Sequence, residues 1–178
     1  MANTNDPNGF TPAYHMTGGT IRPAQMRIAS ATNASIFSGD VVNLSSGYII
    51  QGTATGAPIG VFAGVYYEAT DGTPTFSKMW TADVATLGSA DAKAYIYNDP
   101  DIVYEAQFTA GTPAVSFIGN KYTLSTTAGS TSTGRSAEGV TATTSSGVAL
   151  CVGFVDTPSN SIAAYARAFF RFPANPFE

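Results

Sequence analysis

The segment Ile162 to Phe172 reads IAAYARAFFRF, and its period decides the fold. Successive side chains of a β-strand point to opposite sides. Here Ile162, Ala164, Ala166, Ala168, Phe170 and Phe172 share one side, while Ala163, Tyr165, Arg167, Phe169 and Arg171 share the other. The first side is apolar throughout and is expected to face a core. The second mixes rings with two guanidinium groups, a composition enriched at protein interfaces because both desolvate with little loss of rotamer freedom. Tyr165, Arg167, Phe169 and Arg171 are therefore candidate subunit-interface residues, the alternative being a solvated face.

Working outward, the same texture fills the chain. Runs of Val, Ile, Thr, Tyr and Phe are separated by Gly, Pro, Asn, Asp and Ser, and strong helix formers are thin. Strands are expected at 25–29, 40–44, 48–51, 59–68, 74–80, 93–98, 102–108, 114–118, 121–125 and 147–155, besides 162–172. Many short strands at this spacing predict an all-β fold, an antiparallel sandwich or small barrel. Ser45, Ser46 and Gly47 read as a three-residue hairpin loop with Gly at a positive φ. Pro100 in NDPD reads as the second residue of a type I turn. The one stretch with helical character is 83–93, where Asp83 is placed to cap a short helix and Gly88 to stop it.

Two stretches depart from this texture. Residues 126–147, TTAGSTSTGRSAEGVTATTSSG, are low in complexity and almost free of large apolar groups, so they are expected to form an exposed, flexible loop. Residues 1–24 are polar and broken by Gly and Pro, yet carry Phe10, Tyr14, His15 and Ile21. No early positive charge followed by an apolar run marks a secretory signal, and Ala2 excludes myristoylation of a second-position glycine. The expected organisation is an extended N-terminal arm over 1–24, one β domain over 25–172 and a C-terminal tail over 173–178.

Composition narrows the function classes. Asp, Glu, Lys and Arg make up 11% of the 178 residues, against about 25% in an ordinary soluble domain. A surface of Thr, Ser, Ala, Gly and Asn repels itself weakly and desolvates cheaply, which suits extended contact with neighbouring protein. The net charge of −4 argues against nucleic acid, which demands a basic patch. No apolar run reaches the roughly 18 to 20 residues of a membrane span. The single cysteine, Cys151, allows no internal disulfide, fits a reducing cytoplasm and reads as a small core residue.

The residues for catalysis are sparse. His15 is the only imidazole, and one His with one Cys 136 positions away cannot furnish a zinc site. Asp99, Asp101 and Glu105 form the only dense acidic group, but the first two flank a turn proline, where Asp serves backbone hydrogen bonds. A calcium site through the two aspartates lacks the loop pattern that would specify it. The phosphate, dinucleotide, nucleophile-elbow and metalloprotease motifs are missing. No catalytic, cofactor-binding or metal-binding residues are assigned, and the chain is not expected to be an enzyme. A sugar platform built from Trp80, Tyr66, Tyr67, Tyr95, Tyr97 and Tyr104 is the competing use of its aromatics.

Three strings carry a resemblance. Met1 to Asn3 with Asn8 to Pro12 and His15 to Arg22, then GVFAGVYY at 60–67, then YNDPDIVYEAQF at 97–108 resemble capsid decoration (cement) proteins of tailed bacteriophages, of the cyanophage and marine phage type. The resemblance runs to about residue 108, more loosely beyond, and leaves 126–147 unmatched. It implies a structural virion protein on the outer surface of the mature capsid, made in the host cytoplasm. Its partners would be the major capsid protein and itself, as a homotrimer first and a dimer second. In such proteins an N-terminal segment adds to or runs along a capsid subunit, which makes Phe10, Tyr14, His15, Ile21 and Arg22 the capsid-contact candidates. The alternative is a carbohydrate- or receptor-binding head-fibre or tail module.

Overall fold

The structure is a computed structural model that describes residues 3–30, 32–144, 147–173 and 175. The alternating runs fold as strands, and no α-helix occurs among the described residues. In chain order the strands are β1 (Thr11–His15), β2 (Ala24–Ile28), β3 (Ile36–Phe37), β4 (Val41–Ser45), β5 (Tyr48–Gln51), β6 (Gly60–Glu68), β7 (Pro74–Ser77), β8 (Met79–Trp80), β9 (Ala92–Tyr97) and β10 (Ile102–Ala110). They continue with β11 (Lys121–Tyr122), β12 (Leu124–Ser125), β13 (Gly139–Thr141), β14 (Ala149–Phe154) and β15 (Arg167–Arg171).

One sheet runs β2-β9-β6-β4-β5, with β7 on the far part of β6. Its end strands β2 and β5 approach each other, so the sheet is nearly closed into a barrel. Ile28, Ile49, Phe62, Val65, Trp80 and Ile96 fill the interior. The second sheet runs β11-β14-β15-β10-β13-β12, and β1 lies on β10. Its pairings are antiparallel except β10 with β13, which is parallel. Phe10, Tyr104, Phe108, Phe170 and Phe172 form the second core. The barrel wall divides the two by strand alternation, since Val41 and Val61 face the second core while Val42 and Phe62 face the barrel interior.

The two-faced reading of the last strand holds over β15, where Ala168 and Phe170 are buried and Arg167, Phe169 and Arg171 half-buried. It does not extend back to Ile162. Residues 163–166 form a turn in which the Ala166 N–H donates to the Ala163 carbonyl at 3.1 Å and Tyr165 takes a φ of 61°. The cause is a side-chain clamp. The Asn160 amide accepts from the Arg167 N–H at 2.7 Å and donates to the Arg167 carbonyl at 2.9 Å, occupying the groups a longer strand would use.

Other differences are local. Residues 115–117 form a 3₁₀ turn where a strand was expected. The 83–93 stretch yields only a 3₁₀ turn at Leu87–Ser89, with no side-chain cap and with Asp83 itself at a φ of 56°. The hairpin after β4 is one residue tighter than predicted: Ser45 pairs with Tyr48, leaving Ser46 and Gly47 both at positive φ. Two positive-φ residues suit the right-handed twist of the strands they join. Pro100 sits in the predicted turn, closed by the Ile102 N–H on the Asp99 carbonyl at 3.2 Å.

The 126–147 stretch is not uniformly exposed. Ser136, Glu138 and Val140 are buried, because the backbone of 134–138 runs beside Ser38. The Ser38 N–H donates to the Gly134 carbonyl at 3.0 Å, and the Ser136 N–H to the Ser38 carbonyl at 2.9 Å. Main-chain pairing supplies what side-chain composition lacks. Ser145 and Ser146 lie outside the described residues. In the tail, Asn175 is buried and its amide donates to the carbonyls of Ile59 and Asn98 at 3.3 and 2.9 Å; Ala174 and residues 176–178 lie outside the described residues.

Candidate functional site

Residues 3–10, within the stretch read as an arm, lie against the rest of the domain. The Asn3 amide donates to the carbonyls of Ser161 and Ala164 at 2.8 and 2.9 Å. The Asp6 N–H donates to Gln107 Oε1 at 2.9 Å, and Gln107 Nε2 donates to the carbonyls of Thr4 and Tyr165. Phe10 is 1% exposed, with its ring 6.2 Å from that of Phe170 and 5.4 Å from that of Phe172. It belongs to the core and can touch a partner only by leaving it. Local periodicity could not reveal this, because a lone Phe among polar neighbours finds its socket through contacts about 160 residues away.

Of the remaining contact candidates the His15 side chain is only 8% exposed, while the other three reach the surface. Tyr14 is 45% exposed, Ile21 half-buried against the second core, and Arg22 exposed. Tyr14 meets Phe169 edge to face at 5.6 Å, which joins a candidate from each predicted set. Arg167 Nη1 donates to Glu105 Oε1 at 2.9 Å, and the Tyr165 carbonyl is taken by Gln107. Much of the expected interface side of β15 is thus engaged within the chain.

His15 has a rigid setting at the end of β1. Its Nδ1 accepts from the N–H groups of Thr17 and Gly19 at 3.3 and 3.1 Å, and its Nε2 lies 3.1 Å from Asp99 Oδ2. Two N–H donors at Nδ1 place the ring proton on Nε2, where it donates to Asp99. The backbone N–H of Asp101, then burial-opposed contact with His15, holds the Asp99 carboxyl below its usual range. His15, Asp99 and Asp101 could be gathered around a metal ion. The fixed tautomer opposes that, since a metal on Nε2 would take the nitrogen that carries the proton.

The aromatics of the proposed sugar platform separate. Trp80 and Tyr104 are buried, and burial raises the Tyr104 hydroxyl well above its ordinary pKa. Tyr66 and Tyr95 instead join Phe76, 74% exposed, in an outer ladder across β6, β7 and β9. Ring centroids are 4.9 Å apart for Tyr66 and Phe76 and 6.3 Å for Phe76 and Tyr95, and Lys93 Nζ lies 5.6 Å over Tyr66. A shallow groove of about 330 Å³ opens beside Phe76 and Tyr95, floored by Ala63 and Gly64.

Sequence reasoning missed a pair of buried acids. Asp40 and Glu138 are both 0% exposed. Burial raises Asp40 to about 6, against hydrogen bonds from the Ser136 hydroxyl and the Phe37 N–H. Burial, then the Asp40 charge, raises Glu138 to about 9 against the Val41 N–H. Nothing in DVVNL or SAEGV signals this, because a polar loop residue is ordinarily solvated. Burial also pushes the Cys151 thiol up to about 11, so it is a core group with little thiolate at neutral pH.

The three strings that carry the phage resemblance meet in space. β1 pairs with β10 through Thr11 opposite Glu105 and His15 opposite Ile102, and β6 pairs with β9 through Val61 opposite Tyr97. Phe10, Thr11, Val61, Phe62 and Tyr97 line one cleft of about 280 Å³. No family model, no curated protein and no solved structure matches the chain.

Proposed function

We propose that the chain is a structural protein of a tailed-bacteriophage head. It binds the outer surface of the mature capsid, stabilises contacts between major capsid protein subunits, and acts as a homo-oligomer, a trimer before a dimer. The reading is non-catalytic. Its main support is that the three resembling strings, far apart in sequence, converge on one junction of β1, β6, β9 and β10, as expected of strings that specify a shared framework. Low charge favours broad protein contact. Among the described residues no strand pairs with the outer edge of β1, and an open edge is a template for main-chain pairing with a capsid subunit. Tyr14 stands beside that edge.

The ladder of Tyr66, Phe76 and Tyr95 favours a second reading, a carbohydrate- or receptor-binding head-fibre or tail module, because exposed rings beside polar groups suit the apolar face of a sugar. One experiment separates the two. Purified protein is cosedimented with expanded capsids and, in parallel, applied to a glycan array, as wild type, Tyr14→Ala and Phe76→Ala. The capsid reading expects saturable cosedimentation at a fixed ratio to capsid protein, weakened by Tyr14→Ala. Glycan retention lost in Phe76→Ala, with no capsid binding, would replace it with the second reading.

A further inference from the structure

Asp40 and Glu138 lie where three stretches of chain cross. Residues 38–41 link β3 to β4, residues 136–138 lead into β13, and Asn8 to Phe10 pass across both. The Gly9 N–H donates to the Glu138 carbonyl at 3.2 Å and the Phe10 N–H to the Gly39 carbonyl at 2.8 Å. The crossing is tight enough to require glycine at position 9, where φ is 72° and a Cβ would stand 2.5 Å from Ser136 Cβ and 2.6 Å from the Gly39 oxygen.

Each carboxyl is half satisfied. Asp40 Oδ2 accepts from the Phe37 N–H and Glu138 Oε2 from the Val41 N–H, both at 2.8 Å. The Ser136 oxygen accepts from the Glu138 N–H at 2.9 Å while its hydroxyl donates to Asp40. Asp40 Oδ1 and Glu138 Oε1 are buried without a hydrogen-bond partner among the described residues. No Lys, Arg or His forms an ion pair with either, since the ion pairs there are His15 with Asp99, Arg27 with Asp91 and Arg167 with Glu105. The surrounding elements bring little charge. β3, β4, β13 and the Val61–Phe62 part of β6 carry no ionisable side chain. Asp6 of the crossing segment, Arg135 of the loop and Glu105 of β10 line the cleft beside it, and Glu105 is already paired with Arg167.

A buried site with two carboxylates and no basic side chain paired to either disfavours two negative charges, and one proton removes one of them and supplies a donor. We propose that Asp40 and Glu138 share one proton and form a protonation clasp: with the proton present the crossing stays closed over residues 8–10, and its loss releases that segment and β1 with it. Lifting the segment admits water and returns both acids to ordinary acidity. The closed state therefore holds protons more tightly than the open one. Its advantage is full below the ordinary range near pH 4 and is lost as pH rises through about 6 for Asp40 and about 9 for Glu138.

The test is amide hydrogen exchange at Gly9 and Phe10 in the full chain from pH 6 to 9, corrected for intrinsic exchange. The opening constant is expected to rise about tenfold per pH unit, one proton's worth. In Glu138→Gln, whose amide can donate where the acid proton did, it should be flat over that range. An infrared difference spectrum of the unmutated chain supplies a readout independent of variant folding, with a protonated carboxylic acid band present at pH 7 and lost above about pH 9. A pH-independent opening constant in the wild type, an unchanged slope in Glu138→Gln, or no such band at pH 7 would overturn the proposal. Loosening of the segment by a chelator at pH 7 would also overturn it, by placing a cation between the acids.

Discussion

Phe10 shows how little of a residue's role its neighbours in sequence convey. NGFTP reads as the middle of a polar arm, yet the ring fills a socket between Phe170 and Phe172 at the far end of the chain. Phe10→Ala is expected to lower the free energy of unfolding by about 3–5 kcal/mol, the usual cost of emptying a buried aromatic site, as read by urea denaturation. An arm free of the domain would leave that midpoint unchanged. Asp40 and Glu138 were equally hidden. A carboxyl declares its burial only through contacts that fold in from three separate stretches. Tyr14 and Phe169 were both singled out, for different reasons, and meeting edge to face they show that surface aromatics can be legible even when their partner is not.

Strands were the most legible elements, because a period of two survives without knowledge of the partner strand. QMRIA, YIIQ, IGVFAGVYYE, KAYIYN and IVYEAQF all fall on β2, β5, β6, β9 and β10 within a residue or two. Strand ends and turns were less so. The Asn160 side-chain clamp that shortens β15 and the main-chain pairing that orders 134–138 both act on backbone groups, which composition does not report. The β4–β5 hairpin turned out tighter than its sequence suggested, and this offers an element-scale test. Ser46, at a φ of 49°, sits where Asn is favoured in two-residue loops followed by Gly. Ser46→Asn is expected to stabilise the protein by about 0.5 kcal/mol, measured by thermal unfolding. A loss of stability would mean the loop is not of this type.

At the scale of the whole molecule, two cores share one wall, with Val41 and Val61 turned one way and Val42 and Phe62 the other. The wall makes the barrel and the second sheet a mechanical unit, suited to a protein proposed to brace a shell against pressure from within. The aromatic ladder and the open edge of β1 lie on different sheets, so the proposed capsid binding is expected to respond to Tyr14→Ala and the alternative glycan binding to Phe76→Ala, each without the other. The proposed function rests, in the sequence, on a resemblance between strings. The contacts that bring those strings together depend on pairings such as Thr11 with Glu105, which the sequence alone leaves unspecified.

The link from the Asn3 amide to the carbonyls of Ser161 and Ala164 also sets an order of events during synthesis. Asn3 leaves the ribosome 158 residues ahead of Ser161, so its segment waits, unpaired, until the stretch that docks it has been made. Loop closure over such a separation is entropically costly, and folds dominated by non-local pairing reach the native state in roughly milliseconds to seconds. Refolding followed by Trp80 fluorescence is expected on that scale, with docking of residues 3–10 no faster than closure of the barrel around Trp80. Sub-millisecond recovery of protection at Phe10 would show the segment finding its place before the sheet that holds it exists.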